Sequence, residues 1–289
     1  MILKITKTRD YELLDSGLGQ KLERYGSVVF ARPDPEALWQ KRLPKGVWDK
    51  ANGTFVRKGN KAEWILDKTV PKSFNIEFGG FTFSIRPTSF KHTGLFPEQL
   101  SNWEWMAKII EQEKSKREIK VLNLFAYTGG ATLACAAAGA EVVHLDSSKM
   151  AVAWARENAL NSNLSDKPVH WIVEDVLVFL KREVKRGNKY DCIVMDPPAF
   201  GHGPKDELWK IEENFLELIN LCQQVLSDDP IFVLINGYTA GYSIIAYENV
   251  LKDMMQNKNG NIEIGELAIE ESGSSRVLPA GIFARWSKK

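Results

Sequence analysis

The sequence is poor in cysteine and histidine, with three of the first (Cys135, Cys192, Cys222) and four of the second in 289 residues. No CxxC pair occurs, so neither a structural zinc motif nor a disulfide framework is expected, and no metal site is foreseen. An apolar run long enough to span a membrane is also missing. The two longest uncharged stretches, 121–140 and 230–247, are broken by Asn, Thr, Tyr and Gly, so neither reads as a transmembrane helix. The first residues, Met1-Ile-Leu-Lys-Ile-Thr-Lys, carry charge too early for a signal peptide. No membrane partner is expected, and the expected address is cytoplasmic. One charge sign does not dominate either, because 38 Lys and Arg stand against 37 Asp and Glu. With 44% hydrophobic and 26% charged residues, the composition is that of an ordinary globular protein.

What is there is unevenly spread. Residues 1–90 carry 16 Lys and Arg against 10 Asp and Glu, whereas residues 91–289 carry 22 against 27. A basic front on an acidic body suits a polyanionic partner met through the front. The front is punctuated and short-period. Alternating runs flank Gly79-Gly80, from Asn75 to Phe78 and from Phe81 to Ile85, and predict a hairpin. Helix is expected only over 10–25 and 34–40, so residues 1–84 read as a small β-rich domain or extension.

From residue 85 onward the pattern changes to strands alternating with helices. Helical spacing over 99–117 puts Leu100, Trp103, Met106 and Ile110 on one face. Strands are expected at 121–125, 142–145, 169–173, 190–195 and 231–235. Helices are expected at 131–138, 149–159, 176–185, 208–226 and 243–255, with a closing antiparallel pair at 262–269 and 281–286. This is the pattern of an α/β, doubly wound, Rossmann-like sheet, which binds ligands at the carboxyl ends of its strands.

Three features fall at such ends. The first strand runs into Asn123-Leu-Phe-Ala-Tyr-Thr-Gly129-Gly130, whose glycines permit close approach of a ligand. The second ends at Asp146, 17 residues beyond Gly129, where such sheets place a carboxylate for ribose hydroxyls. A nicotinamide oxidoreductase is therefore one reading. It requires GxGxxG so that backbone amides face a pyrophosphate, and Ala131-Thr132-Leu133-Ala134 breaks that spacing. S-adenosylmethionine, with a ribose and no phosphate, fits better. The fourth strand ends in Asp196-Pro197-Pro198-Ala199-Phe200. Two prolines rigidify this exit and remove two backbone donors, leaving the Asp carboxylate and backbone carbonyls as acceptors. Singly, each feature has a plain alternative: a tight turn at Gly129-Gly130, or a cap at Asp146. His144 reads as a core residue and His202 as a loop residue.

Taken together, these motifs resemble the class I methyltransferases that use S-adenosylmethionine. Within them the chain is similar to the group that methylates cytosine C5 or guanine N7 of 23S ribosomal RNA. Thr93-Gly94-Leu95-Phe96-Pro97-Glu98-Gln99 matches that group's signature before the core, although Leu100 stands where its members tend to have Arg. The resemblance covers residues 85–289, the expected catalytic domain. It implies that Asp146 holds the ribose, with Ser147 beside it, and that Asp175, with Glu174 as competitor, meets the adenine amine. Asn123, Phe125, Tyr127, Thr128 and Gly129 would line the cofactor loop, and Phe96 and Gln99 would close from the other side. Asp196, Pro197, Pro198 and Phe200 would hold the acceptor, with RNA as the implied substrate. Protein or small-molecule acceptors, and a non-catalytic RNA-binding role, are the alternatives.

The cysteines bear on the methylated atom. Methylation at cytosine C5 needs a thiolate at the mouth of the site. The fourth strand's end and the fifth's, Ile235-Asn236-Gly237-Tyr238-Thr239, hold no cysteine, so a nitrogen acceptor is expected.

Overall fold

Alternation rather than helical periodicity governs residues 11–25. In the computed structural model, which describes residues 1–59, 61–88, 91–238 and 241–289, that expected helix is a hairpin. After β1 (Ile2–Ile5), β2 (Tyr11–Gly17) and β3 (Gln20–Tyr25) pair antiparallel. They turn through Leu18 and Gly19, both at positive φ, the requirement of a two-residue turn matched to strand twist. The second expected helix, over 34–40, is also missing. Pro33 and Pro35 bracket Asp34, whose carbonyl and carboxylate accept from Ala37 N and Glu36 N in a turn. β4 (Val28–Pro33) extends the hairpin. Beyond α1 (Lys45–Trp48), β5 (Gly53–Lys58) joins β4 in parallel and β6 (Lys61–Leu66) closes the order β2-β3-β4-β5-β6. The hairpin expected around Gly79-Gly80 is present as β7 (Phe74–Phe78) and β8 (Phe81–Ile85).

The chain divides into two units: a β-rich unit of residues 3–100 and 267–280, and a core unit of residues 1–2, 101–266 and 281–289. Charge lies inside the β-rich unit. Glu23, completely buried, accepts from Arg32 Nε at 2.9 Å and from Tyr11 Oη at 2.8 Å. Burial alone would raise its pKa, but Arg32 and Lys21 overcome that and hold it at about 2. Buried Glu271 accepts from Ser16 N and Oγ and from Arg42 Nε.

The core unit follows the expected doubly wound pattern. α2 (Leu100–Glu113) leads into β9 (Lys120–Leu124), α3 (Gly130–Ala138), β10 (Glu141–Asp146), α4 (Lys149–Asn161), β11 (Val169–Val173), α5 (Val176–Arg186) and β12 (Cys192–Met195). A short hairpin of β13 (Phe200–His202) and β14 (Leu208–Lys210) follows. Then come α6 (Ile211–Val225), β15 (Phe232–Gly237), α7 (Ile244–Met255), β16 (Gly260–Glu270) and β17 (Val277–Lys288). The helix expected from 208 therefore starts three residues later, because Leu208–Lys210 are taken into pairing with β13.

The sheet order is β1-β16-β17-β15-β12-β9-β10-β11. β11, β10, β9, β12 and β15 run parallel, and β17 is antiparallel to β15. Succession reverses between β9 and β12, which opens the crevice where such sheets bind ligands. The two faces are filled differently. Leu122, Leu124, Ile193, Met195, Val233 and Ile235 pack with residues of α5, α6 and α7 in one cluster. The alternate residues Phe232, Leu234 and Asn236 turn to the other face, where Trp105 of α2 meets Phe232 at 5.2 Å between rings.

Candidate active site

The crevice begins with a strained loop. Between β9 and α3, Phe125 and Tyr127 have φ of 55° and 48°, a region costly for bulky side chains. Hydrogen bonds hold them there. Ala126 N donates to Leu145 O at 3.0 Å, Tyr127 N to Asp146 Oδ2 at 2.8 Å, and Gly129 N to Ala126 O at 3.0 Å. The two glycines serve packing on their Cβ sides: a Cβ at Gly130 would lie 2.1 Å from the Trp103 indole, and one at Gly129 would lie 3.0 Å from Ala155 Cβ. Gly129, at φ 90°, is the N-cap of α3 and leaves that helix start without a side-chain cap.

Asp146 ends β10 with both carboxylate oxygens anchored. Oδ2 accepts from Tyr127 N, and Oδ1 from Ser148 N at 2.8 Å. Each oxygen keeps a further lone pair. Burial pushes its carboxyl above the usual value, with the Ser148 and Tyr127 amides pulling back. Asp175 caps α5 with Oδ1, accepting from Leu177 N at 2.9 Å and Val178 N at 3.0 Å. Glu174 is engaged elsewhere, its Oε2 3.2 Å from Arg182 Nη1.

A pocket joins these groups. It is lined by Phe125, Leu145, Asp146, Ser147, Glu174, Asp175 and Val176 on one side and by Pro198, Gly201, His202, Gly203 and Trp209 on the other. Among the described residues neither Lys nor Arg lines it. Three carboxylates among largely apolar walls suit hydroxyl and amine donors and repel a phosphate, so the residues present fit a nucleoside such as that of S-adenosylmethionine.

Six residues expected from the sequence thus come together: Phe125, Asp146, Ser147, Glu174, Asp175 and Pro198. Tyr127, Thr128 and Gly129 lie on the adjoining loop. Asn123 points inward from β9, its Nδ2 donating to Thr132 Oγ1 at 2.9 Å. Phe96 and Gln99 belong to the β-rich unit, where the Phe96 ring lies tilted against His92 at 5.2 Å and Gln99 is buried. Trp209 was hidden by reading its segment as helix. Its Nε1 donates to Pro198 O at 2.6 Å, and its ring lies 5.0 Å from Phe125. The Gly201-His202-Gly203 wall had a local signal, two glycines around a histidine, but no partner in sequence.

Asp196 and Pro197 leave the tip of β12, and Phe200 is 57% exposed on β13. Gly237 at the tip of β15 faces the Tyr247 hydroxyl, and Thr239 lies outside the described residues. All three cysteines are buried, and burial raises each thiol, Cys135 to about 12. His144 is a core residue as expected: it is fully buried, its Nδ1 is 2.9 Å from Thr132 Oγ1, and burial lowers its pKa to about 3. Among the described residues no helix is long and apolar enough to cross a membrane.

Comparison with known proteins gives concordant findings. A family profile described as S-adenosylmethionine-dependent methyltransferase matches residues 52–246. The solved structure of the SAM-dependent methyltransferase from Agrobacterium tumefaciens has a TM-score of 0.94 and 37% identity, covering 100% of this chain and 94% of that one. Among curated relatives, ribosomal RNA large subunit methyltransferase K/L of Pseudoalteromonas atlantica is 29% identical over 75% of this chain and 33% of its own length. The protein of that name from Shewanella oneidensis is 29% identical over 63% of this chain and 24% of its own. The chain therefore spans a third or less of these two relatives.

Proposed function

The chain belongs to the family of S-adenosylmethionine-dependent methyltransferases, and we propose that it methylates ribosomal RNA at a nitrogen atom. The observation that carries the cofactor half of this reading is the pocket lined by Asp146, Glu174 and Asp175, with no Lys or Arg among the described residues that line it. Asp146 accepts the two ribose hydroxyls with the lone pairs its amide contacts leave open. Asp175 accepts the adenine amine with Oδ2, and Phe125, Val176 and Pro198 sandwich the base. Tyr127, Thr128 and Gly129, at the uncapped start of α3, take the methionine part. When bound, S-adenosylmethionine supplies a methyl group on a positively charged sulfur. The protein's task is then to align the acceptor and exclude water.

Asp196 holds an N–H of the acceptor, and Phe200 stacks on its plane, a contact worth about 1–3 kcal/mol. The nitrogen assignment follows from the thiols, which burial keeps protonated and away from the strand tips. The RNA assignment is supported by the names of the curated relatives and the basic surplus of residues 1–90.

The test is methyl transfer from labelled S-adenosylmethionine to separated RNA, protein and small-molecule fractions. Label in large-subunit RNA is expected, and label in another fraction alone would replace the substrate. A triple Cys135→Ser, Cys192→Ser, Cys222→Ser variant should retain transfer if it folds. Trapping by 5-fluorocytosine RNA would move the acceptor to carbon.

A further inference from the structure

A chain of hydrogen bonds in the core unit, running inward from the half-exposed Glu263, takes no part in the cofactor pocket. Glu263 on β16 holds Arg285 on β17, its Oε2 2.8 Å from Nε and 2.7 Å from Nη2. The guanidinium lies over the Trp105 ring, 4.6 Å from its centroid. Arg285 Nη1 donates to Asn102 Oδ1 at 3.4 Å, and Asn102 Nδ2 donates to Asn236 Oδ1 at 3.0 Å. Asn102 is completely buried and Asn236 is 3% exposed. The line ends at the carboxyl tip of β15.

Chemistry fixes the direction of each amide. A guanidinium carries donors and no acceptor, so the Asn102 atom facing Arg285 is its oxygen. The Asn102 amine then faces Asn236, and the Asn236 atom it meets is the oxygen. The Asn236 amine is thereby turned away from the line. Register says what it is turned beside. Met195 pairs with Ile235, so Asp196 and Asn236 follow at neighbouring strand tips. Alternation along β15 places Asn236 on the α2 face, with Leu234 preceding it, while Asp196 is the first residue beyond β12. A carboxylate and an amide are thus carried by neighbouring strand tips at the carboxyl end of the sheet.

We propose that Asn236 donates a hydrogen bond to the methyl acceptor and is held in that orientation by Asn102, Arg285 and Glu263. This rests on the reading that the acceptor lies at Asp196. The pair selects a planar group that has an N–H beside a lone pair, as on the amide-like edge of a nucleobase. The N–H goes to Asp196, and the lone pair on an adjacent ring nitrogen or carbonyl accepts from Asn236. Asn236 touches substrate in this arrangement, whereas Asn102, Arg285 and Glu263 are positioning residues.

Asn102→Asp separates this from a structural role. A carboxylate at 102 still accepts from Arg285 but cannot donate, so Asn236 must reverse its amide and present oxygen to the acceptor. Both hydrogen bonds survive, and Arg285 gains a charged partner. A structural role alone therefore predicts no loss. Single-turnover transfer to large-subunit ribosomal RNA, calorimetry with S-adenosylmethionine and thermal melting are measured together. The expected result is unchanged melting and cofactor affinity with kcat/KM for RNA reduced about tenfold or more, the loss of one well-made hydrogen bond. Asn236→Ala should keep cofactor affinity and lose RNA transfer likewise, with a lower melting temperature because the buried Asn102 amine loses its acceptor, and it decides the matter if Asn102→Asp does not fold. Undiminished kcat/KM in a folded Asn236→Ala would overturn the inference. Failure of the wild-type protein to label any RNA would instead overturn the substrate reading, and the same variants are then assayed on the fraction that takes label.

Discussion

The two units bury polar groups to different ends. In the β-rich unit the buried carboxylates Asp15, Glu23 and Glu271 are spent on the unit itself. Asp15 accepts from Leu43 N and Trp48 Nε1, Glu271 from Ser16 and Arg42, and Glu23 from Arg32 and Tyr11. In the core unit, Asp146, Asp175 and Asn236 are each fixed on one side by backbone amides or another side chain. Each keeps hydrogen-bonding capacity at the carboxyl edge of the sheet. A buried polar group fully matched within the fold contributes order, whereas one half matched contributes a binding site.

The contrast breaks most sharply at Arg32→Met. Removing the guanidinium strands Glu23 in a dry interior, and denaturant unfolding should show a loss of about 3–5 kcal/mol. A loss near zero would mean that the carboxylate finds water and the knot is not closed. The counterpart in the core unit is Asp146→Ala, which leaves the Tyr127 and Ser148 amides without their acceptor and should cost about 1–3 kcal/mol of stability. It should weaken S-adenosylmethionine binding by about 2–4 kcal/mol, since two ribose hydroxyls lose a charged acceptor. Calorimetry reads this directly. Because the ionised form accepts those hydroxyls, affinity should also fall as pH drops through the Asp146 pKa. Burial raises that pKa, so the fall should begin above the range of an exposed aspartate.

How far each unit could be read in advance follows from the same difference. The parallel strands of the core unit, buried on both faces, stand out as apolar runs such as Cys192–Met195. Asp146 and Asp196 were legible because they terminate those runs. Tyr11, Leu14, Leu18, Leu22 and Tyr25 fit a helical stripe as well as a hairpin. What decides for strands is the turn at Leu18-Gly19 and the partners of Asp15, Ser16 and Glu23, which lie at Trp48, Glu271 and Arg32. No local pattern carries such distant matches. Trp209 and the amide line through Asn102 were illegible for the same reason.

A subtler test of the β-rich unit is Glu98, whose carboxyl is pushed to about 7, mainly by burial, while Glu23 is held near 2. A raised carboxyl contributes stability that is full below its unfolded value and lost as pH rises through the folded one. Glu98→Gln should therefore raise stability by about 2–3 kcal/mol at pH 8 relative to its effect at pH 4. An equal effect at both pH values would show that Glu98 stays ionised. The smallest effect belongs to Ser148→Ala. It removes the α4 cap, 3.2 Å from Ala151 N, and should cost about 1 kcal/mol of stability.

The β-rich unit is drawn from both ends of the sequence, residues 3–100 and 267–280. Glu271 reaches Ser16 across 255 positions and Arg42 across 229. During synthesis, Ser16 and Arg42 emerge long before the carboxylate that joins them, while α2 to α7 are still being made. The ribosome thus releases an open β-sheet whose clasp arrives only after α2 to α7 have been made. The core unit's parallel strands form while that clasp is awaited, so a pause or a premature stop before codon 271 would leave the front unclosed and exposed to proteases and aggregation.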